Sequence, residues 1–87
     1  MVYRVRIKPA AEKALSRLPT PYRRRMAAAI DSLAHDPRGP GARKLSARSD
    51  YWRLRVGDYR IVYEIADEVL LVYVVRVAHR REVYRGL

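Results

Sequence analysis

YWRLRVGDYRIVYEI, residues 51–65, reads as two strands folded back on each other around Gly57-Asp58. Tyr51 to Val56 and Tyr59 to Ile65 are rich in aromatic and β-branched residues, and a two-residue Gly-X connection between such runs favours a tight hairpin. The turn sets the register: Val56 pairs with Tyr59, Arg55 with Arg60, Leu54 with Ile61, Arg53 with Val62, and Trp52 with Tyr63. Trp52, Leu54, Val56, Tyr59, Ile61, Tyr63 and Ile65 then share an apolar face, and Arg53, Arg55 and Arg60 share the other. Like charges directly opposite across strands destabilise by a few tenths of a kcal/mol, roughly, so Arg55 facing Arg60 works against folding. A bound anion would relieve it. Neighbouring Asp50, Asp58 or Glu64 would do the same, and long side chains splaying into water would weaken it.

Working outward, Tyr3, Val5 and Ile7 alternate with Arg4, Arg6 and Lys8, the period of a half-buried strand. Ala11, Ala14, Leu15 and Leu18 recur at helical spacing between Pro9 and Pro19. Thr20-Pro21 reads as N-cap plus first helical residue of a second helix, whose stripe is Met26, Ala29, Ile30 and Leu33. The short Pro-Thr-Pro connection makes the two helices an antiparallel hairpin. HDPRGPG, residues 35–41, is loop chemistry; the following stretch to Asp50 carries Arg43, Lys44 and Arg48 and gets no firm assignment. Val69 to Val77 is a last strand behind a weaker turn at Asp67-Glu68. The order is β-α-α-β-β-β: an α+β fold in which an antiparallel sheet packs against an N-terminal helical hairpin, as one domain over residues 1–87. A two-residue turn at Asp67-Glu68 sets Arg60 beside Val75, so the tail HRREVYR, residues 79–85, begins near the arginine patch.

With 49% hydrophobic and 32% charged residues the chain has a globular composition, and 19 Lys plus Arg against 9 Asp plus Glu give a net charge of +10. Such a charge points to a polyanionic partner. The absence of cysteine excludes disulfides and Cys-based zinc sites. His35 and His79 lie in different segments without a paired carboxylate, so no metal or other cofactor is expected. No phosphate-loop, dinucleotide-binding or hydrolase-elbow motif occurs. The start, MVYRVRIK, lacks a signal-peptide core, and the longest apolar run is strand length, so the expected location is the cytoplasm, with no membrane partner.

The tail supplies further chemistry. Arginines hold a scissile phosphate and stabilise its transition-state charge, a histidine moves a proton near neutral pH, and a tyrosine stacks on an unpaired base. His79 as a surface residue and Tyr84 as a plug for the C-terminus are the plain alternatives. RLRVGDYRIVYEI (residues 53–65), the valine-rich strand after it and VAHRREVYR (residues 77–85) resemble the RelE/ParE toxin superfamily, particularly its RelE branch. The helix end at Ala11 to Pro19 and the loop DPRGPGARKL (residues 36–45) extend the similarity over nearly the whole chain.

The resemblance implies the toxin of a type II toxin–antitoxin system: a metal-independent endoribonuclease that cuts mRNA in the 30S decoding site, by attack of the RNA 2′-OH on the adjacent phosphate. Arg53 and Arg55 would be the base and phosphate contacts, Arg60 the transition-state stabiliser, Arg80 the group acting on the leaving 5′-oxygen, and Tyr84 the stacking ring. Lys44, Arg48, Arg81 and Arg85 would add RNA contacts. Best-studied members of the family carry lysines where this chain has Arg53 and Arg55, and a guanidinium with a pKa above ~12 is a poor general base. That leaves His79 as a candidate acid or base. The partners implied are mRNA, the ribosome and a cognate acidic antitoxin through which the complex binds operator DNA. Two alternatives share the fold: a ParE-type inhibitor that binds DNA gyrase, and an inactive member that only binds its antitoxin. The D-Y-R arginine and the HRREVYR tail favour the RelE reading.

Overall fold

The computed structural model describes residues 2–83. β1 (Arg4–Ile7) leads into α1 (Pro9–Ser16) and α2 (Thr20–His35), followed by β2 (Ala42–Lys44), β3 (Tyr51–Val56), β4 (Tyr59–Ala66), a 3-10 turn (Asp67–Val69) and β5 (Leu71–His79). The strands form one sheet in the order β1-β5-β4-β3-β2. The α+β class and the helical hairpin are as the sequence implies, with two additions. β2 is a fifth strand on the outer edge of β3, and β1 joins the far edge parallel to β5. The sheet is therefore antiparallel except at β1.

Both helices lay their apolar stripes on one face of this sheet. Met26, Ile30 and Leu33 recur one turn apart along α2 and are buried, as is Ala11 of α1. Opposite them lie Val56, Ile61, Tyr63, Val72, Val74 and Val77, also buried. Pro9 opens α1, where its missing N–H is no loss. The second helix begins one residue earlier than the cap assignment implies. Pro19 is the N-cap, because its carbonyl already accepts the Arg23 N–H at 3.0 Å, and the Thr20 hydroxyl instead accepts from Arg23 Nη2 at 2.9 Å.

The β3–β4 hairpin has the five pairings read from the sequence. Gly57, with φ of +59°, takes the left-handed first position of the turn. The β4–β5 pairing differs. Arg60 lies opposite Ala78, three positions beyond Val75. Two features produce the shift. The connection widens into the 3-10 turn closed by Leu70 at φ +49°, and a bulge leaves Val75 without a partner between the pairs Tyr63–Val74 and Val62–Arg76. A bulge adds one residue to one strand and so reverses which faces its later side chains occupy. Before it, Val72 and Val74 face the helices; after it, Val77 and His79 do.

The HDPRGPG loop is an anchor as well as a connection. The buried Tyr63 hydroxyl donates to the Pro37 carbonyl at 2.6 Å. Arg38 makes a two-pronged contact with Asp67, at 3.0 and 2.8 Å, and the Tyr3 hydroxyl donates to the same carboxylate at 2.6 Å. These bonds clasp the end of α2, β1 and the β4–β5 turn together, and the contacts from Arg38 and Tyr3 hold the Asp67 carboxyl at about 2, well below its ordinary 3.8.

Candidate functional site

On the sheet face away from the helices, register places side chains in rows across the strands. One row runs Arg43, Arg53, Val62 and Arg76 from β2 to β5; the next runs Arg55, Arg60 and Ala78. Rows are two residues apart along a strand, about 6.7 Å. Around them opens a cleft of about 830 Å³ lined by Arg43, Lys44, Arg53, Arg55, Arg60 and Arg80, with Ser46, Ser49 and Tyr51 along its β2 side. Among the described residues no carboxylate lines it. Among the described residues none of Arg43, Arg53, Arg55 and Arg60 is in an ion pair, so three strands of one sheet present like charges to the same open space.

Arg60 is half-buried and oriented by the turn beneath it. Its Nη1 donates to the carbonyls of Gly57 at 3.0 Å and Tyr59 at 2.9 Å. That uses one nitrogen of a five-donor fork and leaves Nε and Nη2 for an incoming anion. Arg80 reaches the cleft because of the β4–β5 shift. His79 pairs with Tyr59, the Arg80 N–H donates to the Asp58 carbonyl at 2.8 Å, and the side chain stands 4.0 Å from the Asp58 carboxylate. With the register expected from a two-residue turn, Arg80 would lie beyond the hairpin's end.

The structure brings together Lys44, Arg53, Arg55, Arg60 and Arg80. His79 does not join them. Its ring sits on the helix side, edge-on to Tyr59 at 5.8 Å, in a series that continues to Tyr22 at 5.2 Å and the Arg25 guanidinium at 5.9 Å. The bulge at Val75 is the reason: with unbroken alternation His79 would share the face of Arg60. Arg48 and Arg81 are exposed and line no part of the cleft. Tyr84 and Arg85 lie outside the described residues. The cleft also takes in Arg43, Leu45, Ser46, Ser49 and Tyr51, which are not among the candidates read from the sequence. Arg43 is the register partner of Arg53, whereas its neighbour Lys44 is opposite Trp52; Tyr51 contributes the cleft's aromatic ring.

Comparison with known proteins fits this geometry. The family model describing the ParE toxin of type II toxin–antitoxin systems matches residues 5–84. The chain belongs to the RelE/ParE toxin superfamily. Within it the similarity lies with the RelE branch. Toxin RelG of Mycobacterium tuberculosis is 33% identical over 98% of this chain and 99% of its own length. Among solved structures, the archaeal RelE–RelB complex of Pyrococcus horikoshii is matched with a TM-score of 0.82 at 30% identity, covering 95% of this chain and all of that one. The RelBE2 toxin–antitoxin complex of Mycobacterium tuberculosis is matched at 0.73, again at 30% identity, covering 92% and 100%. The chain is thus a type II toxin of RelE type, with its arginine-lined cleft on the open face of the sheet.

Proposed function

We propose that this toxin is a metal-independent endoribonuclease that cuts mRNA in the ribosomal decoding site. The observation that carries the reading is the cleft itself: five arginines and a lysine around one space, with no carboxylate in its lining among the described residues. In the proposed reaction the RNA 2′-oxygen bonds to the adjacent phosphorus and the bond to the 5′-oxygen breaks, through a five-coordinate transition state with added negative charge. Arg60, already held by the Gly57 and Tyr59 carbonyls, needs no reorganisation to meet that charge. Arg53 and Arg55 hold the phosphate and orient the attacking hydroxyl, and Arg80 acts at the leaving 5′-oxygen. Tyr84 is the proposed stacking ring, Lys44 a further RNA contact within the cleft, and Arg48, Arg81 and Arg85 outlying contacts to RNA.

Among the described residues the cleft is lined by no histidine, aspartate or glutamate. In this reading the 2′-hydroxyl proton leaves to water, the departing 5′-oxygen beside Arg80 takes a proton from water, and charge stabilisation supplies most of the rate. His79 belongs to the aromatic series behind the sheet, so His79→Phe, which keeps a ring against Tyr59, should leave cleavage unchanged. The cognate partner is an acidic antitoxin of RelB type whose segment folds over the cationic face, since opposite charge speeds capture; the pair binds operator DNA through the antitoxin. Induction in cells is the test of the enzyme reading. Translation should stop with mRNA cut inside codons at the decoding site, whereas gyrase trapped on broken DNA with intact mRNA would replace it with the ParE reading.

A further inference from the structure

We infer that the cleft contains a second nucleotide subsite, beside the arginines that hold the scissile phosphate, in which Tyr51 stacks the neighbouring base and Arg43 takes its phosphate. The inference rests on the RNase reading and extends it to two residues on the β2 side of the cleft. Arg43 and Arg53 are direct partners on adjacent strands, so their Cβ atoms are about 5 Å apart. Tyr51 is one alternation, about 6.7 Å, along β3 from Arg53 on the same face. A strand whose phosphate sits at Arg53, Arg55 and Arg60 therefore has its next base within reach of the Tyr51 ring.

The loop between β2 and β3 is tied down in a way that presents this corner. The Leu45 N–H donates to the Tyr51 carbonyl at 3.0 Å, the Ser49 N–H to the Ser46 carbonyl at 3.2 Å, and the Tyr51 N–H to Ser49 Oγ at 3.0 Å. Ser49 Oγ accepts there, so its own proton can be donated to a base edge; Ser46 lines the same wall. Glu64 stands opposite Tyr51 and ends the cationic surface along the sheet. A phosphate leaving the scissile position is therefore turned away from Glu64 and toward Arg43. The occupant is one nucleotide of single-stranded RNA, bound with little sequence preference, because every base presents a π-face to a tyrosine.

The test uses the full chain and fluorescein-labelled 2′-O-methyl oligoribonucleotides, which cannot be cleaved, with binding read by anisotropy at low salt. One oligonucleotide is fully based and a second is abasic at the flanking position. Tyr51→Ala should weaken binding of the first about 5- to 150-fold and leave the second unaffected, while Tyr51→Phe behaves as the parent protein. Arg43→Ala should reduce the slope of log affinity against log salt by about 0.7, the loss of one single-strand phosphate contact. Arg43 is exposed, so its removal leaves folding intact. The subsite is overturned if Arg60→Ala weakens binding while Tyr51→Ala and Arg43→Ala do not, or if Tyr51→Ala lowers the melting temperature with affinity per folded molecule unchanged. Failure of the parent protein to bind either oligonucleotide would instead count against the RNase reading itself.

Discussion

On the helix side of the sheet, Ile61, Tyr63, Val72, Val74 and Val77 are buried against α1 and α2; on the other side, Arg43, Arg53, Arg55 and Arg60 stand together around an open cleft. β4 supplies both sets in alternation, with Arg60 on one face and Ile61 and Tyr63 on the other; β5 adds the remaining buried residues and β2 and β3 the remaining arginines. Burying one large apolar side chain stabilises by about 1.5–3 kcal/mol, whereas a like-charge pair across strands destabilises by a few tenths, roughly. A few core residues on one face therefore outweigh the repulsion among arginines on the other. The comparison separates what holds the fold from what the fold holds out to a ligand, and substitutions on the two sides should divide accordingly.

The largest expected effect is on the buried side. Ile61→Ala should cost about 2–5 kcal/mol of folding stability, read from denaturant or thermal unfolding. A loss well below that range would mean the helix side is not the main source of stability. Tyr63→Phe should cost about 1 kcal/mol, since it leaves the Pro37 carbonyl without its donor. It should also change the alkaline limb. Burial pushes the Tyr63 hydroxyl up from 10.0 to about 12, so the neutral form is favoured in the folded state. The stability this gives is present below pH 10 and lost as pH rises toward 12, and the Phe variant should lack that contribution to the decline.

A smaller effect belongs to the exposed clasp at Asp67. Its carboxyl is held at about 2 by Arg38 and Tyr3, so its contribution to stability is present above 3.8 and disappears as pH falls through 2. Both partners are largely solvent-exposed, so the contribution is modest and screened by salt. Unfolding curves of the parent protein and Asp67→Asn should differ near neutral pH and converge in acid. The smallest stability effect is expected from Arg55→Ala. Removing one side of the Arg55–Arg60 pair should leave stability equal or raise it by a few tenths of a kcal/mol, roughly, while cleavage falls.

How far the site is legible in the sequence follows the same strands. Gly57-Asp58 permits one tight turn, and from it five pairings and the grouping of Arg53, Arg55 and Arg60 follow without reference to the rest of the chain. The β4–β5 pairing is not legible in that way. Asp67-Glu68 carries no glycine, the loop closes with Leu70 in the left-handed region, and nothing local to Val75 marks it as a bulge. The bulge sends His79 to the helix side, and together with the widened connection it brings Arg80 to the cleft. β2 is three residues long and exists by pairing with β3 across the intervening loop, so alternation within Ala42–Lys44 could be read only once that partner was known. Both Arg43 and Lys44 line the cleft, and only the pairing with β3 shows that Arg43 is the one directly beside Arg53. The fold class does not depend on these pairings, because the helix stripes and the first hairpin are set by local periodicity.

Arg60 and Ile61 are sequence neighbours that face opposite sides of β4, and measuring cleavage and melting on the same preparations of Arg60→Ala and Ile61→Ala tests the account most directly. The account predicts that Arg60→Ala loses about 10²–10³ in cleavage rate, equivalent to roughly 2.7–4 kcal/mol, with at most a small fall in melting temperature, because the lost bonds to the Gly57 and Tyr59 carbonyls are offset in part by relief of the Arg55–Arg60 repulsion. Ile61→Ala should lose melting temperature while cleavage per folded molecule is retained. An Arg60→Ala protein that melts several degrees lower yet cleaves at the parent rate per folded molecule would contradict it.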